Sequence, residues 1–312
     1  MKKRNKIFVG ILLLTAIIGC GLVAWWWLDP GPWARDARHE IRTIDGKPFL
    51  VGEFRVNVDL PLNPSTRVSY VIPVDNQGKP LPSAANMVFY APFNGEDGST
   101  FPDRLAWLKP FWQEYGYTVF SLSIAANVAI TDDVKQYYIY PECGWFEVVT
   151  AIQDHLCREF AIPERPFFVV GESAGGSMAQ QMSLAIPERM EAAAWCGATR
   201  TSLPSAPNRP KLLALSTWGC PGMKTMRATA QKQREVGGTI LHSLTPPHSG
   251  GHDHHAAGET AYALIRQFIV DAVRSRSSQA EFPSREFQRP WAMLPHAIAD
   301  AWLEPETATP EA

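Results

Sequence analysis

Short apolar runs recur along this chain, separated by longer stretches of mixed character. Phe54–Leu60 alternates apolar and polar residues and reads as a strand. Arg67–Pro73 reads as a second strand and is followed by a polar turn, Asp75–Pro80. Met87–Ala91, Tyr117–Ile124, Phe167–Val170, Glu191–Cys196, Lys211–Trp218 and Thr239–Leu244 are further apolar runs of strand length. Between them, residues 102–115, 142–160, 177–186, 223–236 and 258–274 have helical composition. The third stops before Pro187 and the fourth before the pair Gly237-Gly238. Strands alternating with helical segments predict an α/β fold. Its sheet should be mainly parallel, with helices on both faces and a small antiparallel start. The connection from Cys196 to Lys211 is short and carries no helical pattern, so no lid domain is expected.

The ends of the chain read differently. Lys2, Lys3, Arg4 and Lys6 precede an uncharged apolar run from Ile7 to Leu28. As a helix that run would extend about 33 Å, enough for a bilayer core. Trp25, Trp26 and Trp27 close it where an aromatic belt would sit, and the basic cluster would stay cytoplasmic. Residues 1–28 are thus expected to be an anchor that leaves the body exported, facing the periplasm or the exterior. Two rival readings remain. One is a cleaved signal, for which the run is long. The other is a lipoprotein, since Ile17-Ile18-Gly19-Cys20 resembles a lipobox with Cys20 as the lipidated residue. Residues 29–44 look like a linker, 45–275 like the folded body, and 276–312 like a Pro- and charge-rich extension with a partly disordered end.

The chain has 312 residues and 46 % hydrophobic content, sufficient for a sizeable core. Its 29 basic residues against 31 acidic ones give no sign of a nucleic-acid partner. An exported body permits disulfides. Cys143 and Cys157 fall in one predicted helix, about 21 Å apart, and cannot pair. Cys196 and Cys220 each end a predicted strand and can pair if those strands are neighbours.

The richest stretch is Phe167-Phe-Val-Val-Gly171-Glu172-Ser173-Ala174-Gly175-Gly176. A buried strand runs through G-x-S-x-G into a helix. In that context the serine occupies a strained turn that lifts its hydroxyl above the sheet, and glycines keep neighbouring Cβ atoms away. The next residue, Ala174, would offer its backbone N–H to a developing oxyanion. A bland glycine-rich turn is the competing reading. A serine hydroxyl needs a base within hydrogen-bond reach. After the last predicted strand the chain reads His248-Ser-Gly-Gly-His252-Asp-His254-His255. His252 is the candidate base, with His248 and His255 as alternatives, whereas His242 lies inside a strand. The cluster could instead hold zinc or nickel, but no matching ligand cluster exists elsewhere, so no metal and no cofactor are expected.

On these residues the chain resembles the α/β-hydrolase-fold serine hydrolases. The strand order, the Gly-Glu-Ser-Ala-Gly-Gly turn shared with many carboxylesterases and the late Gly251-His252 carry the resemblance, over roughly residues 45–275. It implies Ser173 as nucleophile, His252 as general base, and a second oxyanion N–H from the loop Ala91–Gly95, at Phe93 or Asn94. It also implies cleavage of a small-molecule carboxylic ester through an acyl-enzyme. A peptidase or amidase using the same residues and a non-catalytic binding protein are the alternatives. The chain departs from the family at the acid. Ser216–Met223, where the resemblance places an Asp or Glu, contains no carboxylate, nor does Gly197–Arg200. Glu172, Asp253, Asp132, Asp133 and Glu142 are the carboxylates left to consider, and the acid stays unassigned.

Overall fold

The computed structural model describes residues 35–57, 60, 65–126, 131–197, 210–217, 228, 230, 240–245 and 258–276. Among the described residues nine strands form one sheet in the order β1-β2-β3-β5-β4-β6-β7-β8-β9. They are β1 (Arg35–Ile44), β2 (Lys47–Asn57), β3 (Ser65–Pro73), β4 (Met87–Ala91), β5 (Thr118–Leu122), β6 (Phe167–Glu172), β7 (Met190–Cys196), β8 (Lys211–Thr217) and β9 (Ile240–Thr245). The pairs from β1 through β3 to β5 are antiparallel, and those from β5 and β4 onward are parallel. The longer helices are α1 (Trp145–Glu159), α2 (Ala174–Ala185) and α3 (Gly258–Arg274).

The strand alternation sorts side chains into two cores. Phe167 and Val169 point to one side, where Phe146, Val149, Ile152 and Leu156 of α1 and Met178 and Met182 of α2 are buried. Phe168 and Val170 point to the other. There Ala261, Leu264, Ile265, Phe268, Ile269 and Ala272 of α3 recur at helical spacing, beside Trp107, Phe111 and Trp112. Strands β4 and β6 are buried at every position because helices cover both faces.

Several expectations are revised. Residues 29–44 were expected as a linker, yet Arg35–Ile44 is a strand paired antiparallel with β2. Its residues from Asp36 to Thr43 are exposed, so it shows no apolar alternation and is held by backbone pairing. Asp45-Gly46 closes the hairpin with φ of 50° and 77°, a turn that requires both residues in the left-handed region. The strand expected from Phe54 begins already at Lys47 and ends at Asn57. The helix expected over 102–115 is broken into turns at Phe101–Arg104, Ala106–Leu108 and Lys109–Gln113, because Pro110 cannot donate in a helix interior. The one expected over 142–160 starts at Trp145, after a turn at Pro141–Cys143 and Gly144 at φ 84°.

The N-terminal run, the residues 198–209 where a lid would insert, most of 223–236, and Cys20 and Cys220 lie outside the described residues. Among the described residues no helix is long and apolar enough to cross a membrane. β7 and β8 are neighbours, as a Cys196–Cys220 bridge requires, with Cys196 opposite Leu215. Cys143 and Cys157 are buried and unpaired.

Arg276 ties the end of α3 to the N-terminal edges of the parallel strands. Its guanidinium donates to Glu191 Oε2 at 3.1 Å, to Asn86 Oδ1 at 2.6 Å and to the Pro166 carbonyl at 3.4 Å, and lies 5.3 Å from the centre of the Phe168 ring. Arg276→Ala should therefore cost about 1–3 kcal/mol in urea unfolding, since it strands partly buried acceptors. Burial pushes the thiols of Cys143 and Cys157 up to about 11. Iodoacetamide at neutral pH should leave both unmodified in the folded protein and alkylate both in urea, read by peptide mass.

Candidate active site

The C-terminal ends of β4, β6 and β7 lie side by side, with Ala91 opposite Gly171 and Glu172 opposite Cys196. In parallel sheets this edge is where ligands bind. Ser173 sits between β6 and α2 with φ 53° and ψ −120°. An L-residue adopts that conformation only under strain of about 1–3 kcal/mol, held by its surroundings. Here the Ser173 N–H donates to the Cys196 carbonyl at 2.9 Å, and the Ser173 carbonyl accepts from the Ser177 N–H at 3.0 Å. The Ser173 side chain does not cap α2. Ala174 opens α2, so its N–H has no acceptor one turn earlier in the helix. That end of α2 also carries the positive pole of the helix dipole.

The glycines account for the rest of the motif. A Cβ on Gly171 would lie 2.4 Å from the Gly175 carbonyl oxygen. A Cβ on Gly175 would lie 2.1 Å from the Ala91 oxygen and 2.8 Å from the Pro92 oxygen. Strand β6, helix α2 and the loop after β4 therefore meet backbone to backbone, with no room for a side chain.

That loop is fixed from several directions. Tyr138 Oη donates to the Pro92 carbonyl at 2.9 Å, and the Gly95 N–H donates to the Ala125 carbonyl at 2.9 Å. Glu96 Oε2 accepts from Tyr90 Oη at 2.6 Å and from the Phe93 N–H at 3.2 Å. Of the two candidate oxyanion donors, Phe93 is thus engaged by a carboxylate. Asn94 has no hydrogen bond through its N–H among the described residues, and its buried Oδ1 is also unpartnered. Burial raises the Glu96 carboxyl above the usual range, against the pull of its two hydrogen bonds. Tyr90 is driven well above the ordinary phenol value by burial first, then by the charges of Glu96 and Glu172.

Glu172 is 8 % exposed and accepts from Tyr262 Oη at 3.3 Å. Tyr262 stacks on Trp107 at 4.6 Å and 7°, and Trp107 meets the Tyr90 ring edge-on at 5.9 Å. Arg266 Nη1 donates to the Trp107 carbonyl at 3.3 Å. Two carboxylates and two tyrosines thus lie together on the α3 side of the elbow. Glu96 was missed in the sequence, where only its nearness to the loop Ala91–Gly95 pointed to it. The other carboxylates considered above lie elsewhere or beyond description. Asp132, Asp133 and Glu142 are exposed, and Asp133 Oδ1 accepts the Lys135 N–H at 2.9 Å.

His248, His252, Asp253 and His255 lie outside the described residues. Helix α3, which follows them, places Tyr262 against Glu172 beside the elbow. Among the described residues no group of histidine, cysteine and carboxylate side chains is placed to hold a metal ion. A cleft of about 370 Å³ lies at the antiparallel edge, lined by Arg38, Arg42, Glu53, Ser99 and Asp103 among others, and no elbow residue borders it.

No protein-family model matches the chain, and no curated protein matches it in sequence. Its fold has parallels among solved structures. It is similar to an S-formylglutathione hydrolase from Staphylococcus aureus at 14 % identity, with 75 % of this chain and 98 % of that chain covered and a TM-score of 0.51. It is also similar to an S-formylglutathione hydrolase from Agrobacterium tumefaciens at 13 % identity, with 78 % and 99 % covered and a TM-score of 0.52. The chain has the α/β-hydrolase fold.

The strain at Ser173 is testable without any substrate. Ser173→Gly should be more stable than Ser173→Ala by about 1 kcal/mol in urea unfolding, because glycine accepts φ 53° while alanine does not. Gly175→Ala should lose at least about 1–3 kcal/mol, since its methyl meets backbone atoms that cannot move independently.

Proposed function

We propose that this protein is a serine hydrolase that cleaves a carboxylic ester through an acyl-enzyme. The observation that carries the reading is Ser173 in a strained strand-to-helix turn, with the opening N–H groups of α2 beside it. Ser173 Oγ attacks the ester carbonyl while His252 takes its proton. The tetrahedral oxyanion is met by the N–H of Ala174 and by an N–H of the loop after β4, at Phe93 or Asn94. Collapse breaks the ester C–O bond, and the imidazolium returns the proton to the leaving alcohol. Water, activated by the same histidine, then releases the acid and regenerates Ser173. The two similar folds above are hydrolases of a glutathione thioester by name, which supports a small acyl group. We also propose that Ile7–Leu28 anchors the protein with its body exported, on the strength of the basic cluster before it.

A second reading has one observation in its favour. The segment Trp218–Met223, which follows β8, contains no carboxylate, so the usual orienting acid is lacking there. That favours a binding protein with a vestigial elbow. Steady-state kinetics on short-chain p-nitrophenyl esters separate the two. The hydrolase reading expects turnover that Ser173→Ala reduces by about 10³-fold or more, with His252→Ala close behind. Turnover at the level of the Ser173→Ala variant, from folded protein across the panel, would favour the binding protein.

A further inference from the structure

We propose that Glu96 is the positioning residue of the oxyanion loop: by taking up the Phe93 N–H it leaves the Asn94 backbone N–H as the loop's donor to the developing oxyanion. The inference rests on the reading of Ser173 as nucleophile and goes beyond it by assigning a role to a carboxylate that the proposed reaction does not use.

Within this one turn every backbone N–H but one has an acceptor among the described residues. Pro92 has no N–H. The Phe93 N–H goes to Glu96 Oε2 at 3.2 Å. The Gly95 N–H goes to the Ala125 carbonyl at 2.9 Å, and the Glu96 N–H goes back to the Phe93 carbonyl at 3.0 Å. Asn94 alone in residues 92–96 keeps an N–H without an acceptor among the described residues. Backbone donors are almost always paired in folded chains, and an unpaired one beside a reactive turn is a donor awaiting charge. The loop reaches the elbow directly, as the Ala91 and Pro92 oxygens crowding Gly175 show.

Glu96 is itself held. Tyr90 Oη donates to the same Oε2 at 2.6 Å, and Tyr90 is 1 % exposed and fixed in β4. The Tyr90 carbonyl accepts from Ser121 Oγ at 2.7 Å, which joins it to β5. The chain of contacts thus runs from two central strands through Tyr90 and Glu96 to the Phe93 N–H and sets the plane of the Pro92–Phe93 peptide, while the Glu96 N–H, bonded to the Phe93 carbonyl, sets that of the Phe93–Asn94 peptide. Both bonds end on one oxygen, so the design needs an acceptor at that point and no second oxygen.

The test uses the full chain, p-nitrophenyl acetate, and the rate of fluorophosphonate reaction at Ser173. Glu96→Ala should lower kcat by about 10- to 100-fold, with KM changed by less than about 3-fold, because an oxyanion contact acts in the transition state. Phosphonylation of Ser173 should slow by a similar factor, since it too builds charge on oxygen. Glu96→Gln, whose single carbonyl oxygen can accept both bonds, should restore kcat to within about 3-fold of the parent. A folded Glu96→Ala with parental kcat would overturn the proposal, as would a folded Glu96→Gln as impaired as Glu96→Ala. If Glu96→Ala does not fold, Glu96→Gln and Tyr90→Phe decide it. Tyr90→Phe keeps the Phe93 bond and should lose less than about 10-fold. Failure of the parent chain to hydrolyse the ester or to label at Ser173 would instead defeat the hydrolase reading itself.

Discussion

Three pieces of backbone meet at the elbow with no side chain between them, and the rest of the site depends on that contact. Gly171 admits the carbonyl of Gly175, and Gly175 admits the carbonyls of Ala91 and Pro92. The approach draws helix α2 onto the end of β6 and presses the loop after β4 against the first turn of that helix. The hydrogen bond from Ser173 to Cys196 then holds the serine in a conformation it would not choose alone. Strain at one residue is maintained by packing spread over three strands, β4, β6 and β7. The stability comes from the core, and the elbow draws on it.

The sheet supplies that core on two faces, and the faces are not chemically alike near the elbow. On the side of α1 and α2 the core is apolar, and the buried polar side chains of the two helices, Gln153, Ser177, Gln180 and Ser183, are uncharged. On the side of α3, Glu172 and Glu96 sit among Tyr90, Tyr262 and Trp107. Burial lifts the Glu96 carboxyl and the Tyr90 phenol together, so the network favours a hydrogen-bonded phenol over a phenolate. Negative charge close beneath a serine opposes its deprotonation but favours a cation near it. In the proposed acyl transfer an imidazolium would be such a cation, and the buried carboxylates would favour it even without a direct contact.

Much of the fold was legible from the chain, for identifiable reasons. The parallel strands announce themselves because both faces are buried and their runs are continuously apolar, as in Met87–Ala91 and Phe167–Val170. The spacing of Ala261, Leu264, Ile265, Phe268 and Ile269 marks α3 as plainly. Strand β1 was hidden because its register is set by backbone bonds and the Asp45-Gly46 turn, while its side chains face solvent. The helix that Pro110 interrupts was overdrawn because composition speaks louder than the missing N–H of one residue. At the site, G-x-S-x-G was readable because each glycine answers a steric need. Glu96 was not, because its role depends on a tyrosine six residues away whose direction only the strand pleat decides.

An active-site-directed fluorophosphonate reads whether Ser173 is an activated nucleophile, with the labelled peptide identified by mass. A single adduct is expected on Ser173, forming in the folded protein and not in urea, abolished in Ser173→Ala and strongly slowed in His252→Ala. A folded protein that gives no adduct at Ser173, or one equally labelled after denaturation, would contradict that activation.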